Sequence, residues 1–500
     1  MVFALRNYDV ILIHPPRLLE SNKDKNSKFI RGSYIFIPMG VFAIADYLEK
    51  EGFGVKIINF PLEQYLNHEW SLTGFLKNIN FKICGIDLHW LHNAHGAIEV
   101  VKIVKEVNPN SKVIFGGYSA SYYHDQLLKY YKEIDGVIRG EGEVPLLRYA
   151  QMIQKNQRLD SVPNLSYRNS SKQIKINPIT YTAKNLDDLV FTNVSLLKNA
   201  EQYLNHSRRL MGIAYNLSIG RGCPFNCPFC GGGQRAQQYL TGRNNVIFRS
   251  PEKVIEDMSM ILDNYKVPSF FFGHGTYSAS LKYWKNLFAL IQKEKFDIGG
   301  DLEIWRLPFP KEMWRIFHKT FHRKYSSISV SPRTLSPKVQ DRIAKICDPT
   351  FKFPINQIND LIKNANLYQR TLRIWLTAGY PFQTRSDILK DFIYAMKCLF
   401  KYGKSNFKPI SIYNEPFYIF PGSPAHRFPD KFGITLKDNS FLQVAEAFKN
   451  SKISFLYNVV NYDTEHLSGT SIRSMNKLFF LSTFLMFFTI GSNISEVRNE

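Results

Sequence analysis

The sequence predicts an α/β protein in three parts: a doubly wound parallel sheet, a partial barrel of six strands and helices, and a helical C-terminal region. Three observations support this fold class. The chain has 500 residues, more than one hydrophobic core usually organises, so two or three domains are expected. Short apolar runs alternate with amphipathic stretches, as in parallel sheets with helical crossovers. Near residue 163 this pattern gives way to polar, extended sequence that separates two such series.

Residues 1–160 form the first predicted domain. Apolar runs such as DVILIH, VKIINF and KVIFGG alternate with amphipathic stretches in five strand-helix units. This alternation predicts a flavodoxin-like (Rossmann-like) parallel sheet, whose ligands bind at the carboxyl edge of its strands. Residues 161–205 are predicted to be a linker, with a hairpin turn at NSSKQ between the runs SYR and IKI.

Residues 206–420 hold a second series of six predicted strands separated by helices, from NLSIG to ISIYNEPF. This series predicts a partial (β/α)6 barrel, which gathers its ligands at the carboxyl ends of the strands. Residues 421–500 are predicted to form a helical region. Its apolar segment, Leu478 to Ile490, is shorter than the roughly 20 residues that cross a bilayer, so no membrane span is predicted. A buried helix and an interfacial helix both remain open.

Composition narrows the function classes. Apolar residues make up 44% of the chain and charged residues 21%, which excludes a disordered or collagen-like protein. The formal net charge of +22 could attract nucleic acid, an anionic membrane surface or acidic substrates. Because the basic residues are scattered and form no common nucleic-acid module, no nucleic-acid partner is predicted. DVILIH follows the N-terminus without a signal region, which predicts a cytoplasmic location, with peripheral membrane contact left open.

Three of the six cysteines are packed into a loop rich in glycine and proline, with CxxxCxxC spacing: Cys223, Cys227 and Cys230. Thiolates select a soft metal centre, and three of them leave one iron of a four-iron cluster without a protein ligand. Structural zinc needs four ligands, usually as two separated pairs, and no second pair is present. The other thiols fall in predicted strand or helix interiors and are expected to be buried rather than ligands of a second cluster: Cys84, Cys347 and Cys398.

The loop NLSIGRGCPFNCPFCGGG resembles that of the radical S-adenosylmethionine (SAM) superfamily, with the aromatic Phe229 before its last cysteine. The resemblance implies a 4Fe–4S cluster whose open iron binds SAM. One electron, from a low-potential donor such as ferredoxin, would cleave SAM to a 5′-deoxyadenosyl radical that abstracts hydrogen from an unactivated carbon. By the same resemblance Phe229 would lie against the adenine, and Gly273, His274 and Gly275 would meet the methionine moiety.

Further polar residues stand at the ends of the third and fourth predicted barrel strands, where a barrel collects contacts to its ligands. Glu303, Arg306 and Ser331 are predicted to bind the cofactor, with Ser329 and Arg333 beside them. The alternative for Glu303 and Arg306 is a pair of solvated loop charges.

The first domain resembles the cobalamin-binding domain that precedes many radical SAM barrels, through IPMGVFAIADYLEKEGF, VIFGGYSAS and IRGEGEVPLL. Gly116 and Gly117 would let a flat ligand approach the backbone closely. DLHWLH, with Asp87, His89 and His92, begins like the DxHxxG box that supplies an axial histidine. That box should follow the first strand, where this chain has HPPR, whereas DLHWLH follows the third strand and lacks the glycine, so it is rejected as the source of an axial histidine. Either cobalamin binds without the usual histidine, or the domain has kept its shape and lost the cofactor.

The two-domain order is similar to that of archaeal enzymes that couple, cyclise or decorate tetraether membrane lipids. An aromatic content of 14% and the positive charge suit a protein that visits an anionic lipid surface. The leading hypothesis is therefore modification of a membrane lipid by ring formation, coupling or headgroup attachment. The alternatives are a cobalamin-dependent C-methyltransferase, a non-catalytic protein that keeps the cluster as a sensor, and modification of transfer RNA.

Overall fold

A computed structural model describes residues 6–19, 35–210, 215–275, 279–323, 325–402, 410–414, 418–437, 440–450 and 460–489. Its first domain is a seven-stranded sheet with the order β2-β1-β3-β4-β5-β6-β7. The strands are β1 (Arg6–His14), β2 (Val55–Asn59), β3 (Ile79–Asp87), β4 (Lys112–Gly116), β5 (Gly136–Ile138), β6 (Leu165–Arg168) and β7 (Ile174–Ile176). The helices are α1 (Met39–Lys50), α2 (Phe60–Leu66), α3 (Leu72–Leu76), α4 (Ala94–Val107), α5 (Tyr118–Tyr122), α6 (His124–Tyr130) and α7 (Glu143–Gln154).

The first five strands are parallel in the order 2-1-3-4-5, which confirms the predicted flavodoxin-like fold. The run Val10 to Ile13 is buried throughout rather than at alternate positions, because helices cover both faces of the central strand. The hairpin predicted at NSSKQ forms between β6 and β7. It pairs with β5 and extends the first sheet, so the start of the segment predicted as a linker is part of this sheet.

The second domain confirms the predicted partial barrel, with six parallel strands in the order β15-β14-β13-β12-β11-β8. Its strands are β8 (Tyr215–Leu217), β11 (Ser269–Phe272), β12 (Gly299–Ile304), β13 (Ser327–Arg333), β14 (Thr371–Leu376) and β15 (Ile410–Asn414), with β9 (Gly220–Arg221) and β10 (Ile247–Phe248) as a small antiparallel ribbon. The helices are α8 (Ala200–Leu210), which precedes the barrel, α9 (Gln234–Thr241), α10 (Pro251–Asn264), α11 (Leu281–Glu294), α12 (Lys311–Thr320), α13 (Pro337–Ile346), α14 (Ile355–Leu367) and α15 (Arg385–Tyr402).

The C-terminal region is mainly helical and packs on both domains. It contains α16 (Pro424–Arg427), β16 (Ile434–Leu436), α17 (Phe441–Asn450), β17 (Tyr462–Thr464) and α18 (Gly469–Thr489). Phe441 and Phe448 of α17 are buried in the core of the first domain, whereas Ile472 and Phe479 of α18 belong to the core that includes the barrel. Of the apolar segment predicted at Leu478 to Ile490, Ile490 and the side chains from residue 480 onward lie outside the described residues. No helix among the described residues is long and apolar enough to cross a bilayer.

Candidate active site between the two sheets

A cavity of about 1070 Å³ lies between the carboxyl ends of the two parallel sheets. The first domain lines it with the ends of β3, β4 and β5, and the barrel lines it with the cysteine loop and the ends of β12 and β13. Tyr418 and Phe420, which follow β15, and Phe448 of α17 complete the wall. Each sheet was expected to bind ligands at its carboxyl edge, and the structure places the two edges around one space.

The cysteine loop connects the β9 strand to α9, and Cys223, Cys227 and Cys230 all line the cavity. Gly222 starts the loop with φ +95°, and a Cβ there would lie 2.5 Å from the carbonyl oxygen of Asn245, so only glycine fits. Within the described residues no three His, Cys, Asp or Glu side chains converge on a single metal ion. A four-iron cluster does not require three ligands to converge on one ion, because each thiolate binds a different iron.

Hydrogen bonding in the loop also suits a thiolate. Burial raises the pKa of Cys223 to about 12 and that of Cys230 to about 11, so the free thiols hold their protons, which a bound metal would have to displace. The backbone N–H of Gly232 lies 3.3 Å from Sγ of Cys230, placed to donate to a thiolate there. The donor set and its surroundings therefore fit a three-thiolate cluster.

The remaining cysteines divide into two kinds. Cys84 in β3 and Cys398 in α15 are buried, as predicted. Cys347 is different, because it lies just beyond the end of α13 rather than inside an element, and its thiol donates to the backbone carbonyl of Asn226 in the cysteine loop. The expectation of a thiol inside an element is wrong for Cys347, which helps to hold the cysteine loop.

The residues predicted to meet the methionine moiety are only partly brought together. Gly273 and His274 line the cavity, whereas Gly275 packs against the indole of Trp305, where a Cβ would come within 2.2 Å of the ring. The imidazole Nε2 of His274 lies 2.8 Å from the carbonyl oxygen of Gly222. His274 therefore joins the end of β11 to the start of the cysteine loop.

The predicted residues at the ends of β12 and β13 mostly reach the cavity. Glu303 lines it and accepts a hydrogen bond of 2.7 Å from the indole N–H of Trp305. Ser331 and Arg333 also line it, while Ser329 is buried within its strand. Arg306 is only 3% exposed, so the alternative of a solvated loop charge is wrong for this residue.

Phe229 faces the cavity in contact with the end of β13. The guanidinium carbon of Arg333 lies 4.8 Å from the centre of the Phe229 ring, within the range of a cation–π contact. The pairing register of β13 shifts between Val330 and Arg333, and Arg333 has φ +67°, so a bulge turns its side chain toward the ring. The adenine contact predicted for Phe229 remains a prediction.

The edge of the first domain fits a flat cofactor. A Cβ on Gly116 would find its nearest heavy atom at 4.0 Å, so the backbone lies open to a ligand. Because β1 and β3 are neighbours, His14 of HPPR hydrogen-bonds Asp87 of DLHWLH, and His89 and His92 line the same cavity. DLHWLH nevertheless follows β3 in the structure, so the position that counted against it as the axial-histidine box is unchanged.

A buried charge network joins the two domains, and it was not predicted. Arg221 lies 2.9 Å from Glu141 and 2.5 Å from Glu143, and Arg243 lies 2.6 Å from Glu141. Burial alone would raise the pKa of Glu141, but the hydrogen bond from Arg243 and the charge of Arg221 lower it overall. The sequence signal was the segment RGEGE together with an arginine two residues before Cys223.

Comparisons with known proteins agree with this geometry. The B12 binding domain family matches residues 30–150, and the Radical SAM superfamily matches residues 217–398. An uncharacterized methyltransferase of Pyrococcus horikoshii is 24% identical over 72% of this chain and 73% of its own length. The hopanoid C-3 methylase of Methylococcus capsulatus is 24% identical over 45% of this chain and 40% of its own length. The cytidylyl-2-hydroxyethylphosphonate methyltransferase of Streptomyces wedmorensis is 21% identical over 69% of each chain.

Among solved structures, the radical SAM methyltransferase TsrM from Kitasatospora setae, with cobalamin and a 4Fe–4S cluster bound, has a TM-score of 0.63 at 13% identity. The match covers 87% of this chain and 77% of that one, and at this identity it supports the fold alone. The fold and the site define a protein in which a B12-binding domain faces a radical SAM barrel. This chain is a radical SAM enzyme with an N-terminal B12-binding domain, and these two domains imply a 4Fe–4S cluster, SAM and cobalamin as its cofactors.

Proposed function

We propose that the protein is a cobalamin-dependent radical SAM methyltransferase that places a methyl group on an unactivated carbon of a membrane lipid. The main observation behind this proposal is one cavity, which is lined both by the carboxyl edge of the first sheet, where cobalamin would bind, and by the cysteine loop. A substrate held there can contact both cofactors. The bound cofactors would supply hydrogen-atom abstraction and a transferable methyl group, with electrons from a low-potential donor such as ferredoxin.

The relatives support methyl transfer over the leading hypothesis of the sequence. Two of them that span about 70% of this chain are named methyltransferases, and a third is a methylase of hopanoids. Ring formation, coupling and headgroup attachment of lipids have no such support, although three other relatives are cyclases of magnesium-protoporphyrin monomethyl ester. Methylation is thus the reaction that the relatives favour.

The residues of this chain favour an apolar substrate. Aromatic side chains from both domains and the C-terminal part line the cavity, among them Trp90, Trp305, Phe351, Tyr418 and Phe448. Such walls exclude water from reactive species and bind hydrocarbon more readily than polar groups. Glu303 and Ser331 are among the polar groups that could orient a substrate within these walls.

The surface of the barrel supports a lipid as this apolar substrate. Leu389, Ile393 and Phe400 of α15 are 57%, 43% and 57% exposed, and their spacing places them on one face of the helix. Leu478 of α18 is 65% exposed, and α18 packs against α15. Exposed apolar stripes on a basic protein are typical of contact with an anionic membrane surface.

Isotope transfer tests this proposal. We expect the reconstituted, chemically reduced enzyme to convert SAM with a trideuterated methyl group into 5′-deoxyadenosine and a deuterated product. In cells fed methionine with the same label, a lipid of the parent strain should carry three deuterons and be absent from a deletion strain. A strain with Cys230→Ala should match the deletion, and one with Cys398→Ala should match the parent.

Two results would contradict different parts of the proposal. Formation of 5′-deoxyadenosine without transfer of the labelled methyl group to any lipid would refute methylation while leaving the radical chemistry in place. Identical lipid extracts from the parent and deletion strains, with label in another product, would refute the lipid substrate alone.

A further inference from the structure

Arg306 lies against one of the cluster cysteines, with its two terminal nitrogens 3.9 and 3.7 Å from Sγ of Cys227. Its other hydrogen bonds run from Nε to Thr350 Oγ1 at 2.8 Å, from Nη1 to the Trp305 carbonyl at 2.6 Å and from Nη2 to Asp348 at 2.7 Å. Guanidinium has five N–H donors, and these contacts account for all of them. The direction of the two N–H groups toward sulfur is therefore set by the surrounding hydrogen bonds.

Two aromatic rings hold the plane of this guanidinium. Its central carbon lies 3.9 Å from the ring centre of Phe225 and 5.1 Å from that of Phe351. With 3% of the residue exposed, its charge is poorly screened by water and acts strongly on nearby groups. The nearest group that changes charge with the redox state would be the cluster bound to Cys227.

Asp348 is the counterion of this cation and is equally well held. One carboxylate oxygen accepts from the backbone N–H and the hydroxyl of Thr350, at 2.9 and 2.6 Å. The other accepts from Arg306 and, at 3.2 Å, from the backbone N–H of Asn226 next to Cys227. The pair is thus tied directly to the loop that carries the cluster.

We propose that Arg306 and Asp348 together set the reduction potential of the cluster, acting through Cys227. A reduced cluster carries one more negative charge, so N–H groups aimed at a ligand sulfur and a nearby cation favour reduction. A nearby carboxylate disfavours it. Arg306 raises the potential, and Asp348 offsets part of that rise. The proposal rests on the cluster and not on the methyl transfer proposed above, so either can fail without the other.

Redox titration followed by electron paramagnetic resonance tests the proposal on the full chain after anaerobic reconstitution, with iron content measured for each variant. We expect Arg306→Gln to shift the midpoint potential to more negative values and Asp348→Asn to shift it to more positive values. Arg306→Lys, which keeps the charge, should lie between wild type and Arg306→Gln. Arg342→Gln is the matched control, because Arg342 pairs with Glu465 at the surface and should leave the potential unchanged.

Opposite shifts in two fully loaded variants would support the proposal, because a merely structural role would not reverse sign with charge. Shifts in the same direction, or no shift at full iron content, would overturn it. If Arg306→Gln takes up less iron, the test depends on Asp348→Asn. This variant keeps the cation, so the proposal requires its midpoint potential to be more positive than that of the wild type. Failure of both variants to hold a cluster would also overturn the proposal and make the pair a structural support of the loop.

Discussion

The guanidinium of Arg221 lies 2.9 Å from the carboxylate of Glu141, across the boundary between the two domains. Arg221 stands two residues before the first cluster cysteine, and Glu141 lies three residues after the last parallel strand of the B12-binding domain. One ion pair therefore connects the loop that holds the cluster to the edge that faces cobalamin. This contact is largely shielded from water, with Glu141 11% and Arg221 17% exposed.

We expect either Arg221→Gln or Glu141→Gln to lower the free energy of unfolding by about 3–5 kcal/mol, because the first leaves the buried Glu143 without its cation and the second leaves the buried Arg243 without its carboxylate. The loss of unfolding free energy in the double variant should be clearly smaller than the sum of the losses in the two single variants, as measured by urea unfolding in a double-mutant cycle. Arg342→Gln, which breaks an exposed pair, should change stability by less than about 1 kcal/mol. Additive effects of the two single variants would show that Arg221 and Glu141 do not interact.

Replacing any one of Cys223, Cys227 and Cys230 by alanine should abolish the cluster. Iron content and the visible absorbance after anaerobic reconstitution should fall to background, because two thiolates do not hold a four-iron cluster with an open site. Cys398→Ala is the control and should retain full iron, since Cys398 is buried in α15 away from the loop. Four irons per chain in Cys230→Ala would contradict the ligand assignment.

Two adjacent glycines of the first domain should respond differently to alanine. Gly117 has φ +103°, and a Cβ there would lie 2.7 Å from the backbone of His89, so Gly117→Ala should destabilise the domain by more than about 1 kcal/mol. A Cβ on Gly116 would find no heavy atom closer than 4.0 Å, so Gly116→Ala should leave the thermal unfolding of the cobalamin-free protein nearly unchanged. Because its methyl group would fill the open edge, Gly116→Ala should instead reduce the cobalamin retained after gel filtration. Full retention of cobalamin would place the cofactor elsewhere.

Asp391 should make stability depend on pH in the acidic range. Burial raises its pKa to about 6, although Thr334, Leu335 and Gln383 donate hydrogen bonds to it. The folded state therefore binds a proton more tightly than the unfolded chain, and this stabilisation is lost as pH rises from about 4 to about 6.

Relative to Asp391→Asn, the free energy of unfolding of the wild type should fall by roughly 3 kcal/mol over that interval and then stay constant, as measured by denaturant titrations at several pH values. A difference that does not change with pH would contradict the raised pKa of Asp391.

The fold and the cluster site could be predicted because they depend on local patterns. Alternating apolar and amphipathic stretches predict parallel strands and crossover helices, and three cysteines within eight residues meet in any loop that turns tightly enough. The cluster ligands could therefore be assigned without knowing any distant contact: Cys223, Cys227 and Cys230. Glu303, Arg306 and Ser331 could be found as strand-end residues, but their partners could not.

What the sequence alone determined is the order of the two domains, the strand pattern of each and the three thiols, because these follow from residues close together along the chain. The tertiary structure alone decided that the two carboxyl edges share one cavity, that Arg221 reaches Glu141, and that Asp348 meets Arg306 beside Cys227. Residues far apart along the chain meet only through sheet order and domain packing, which many distant contacts set together and no local periodicity encodes.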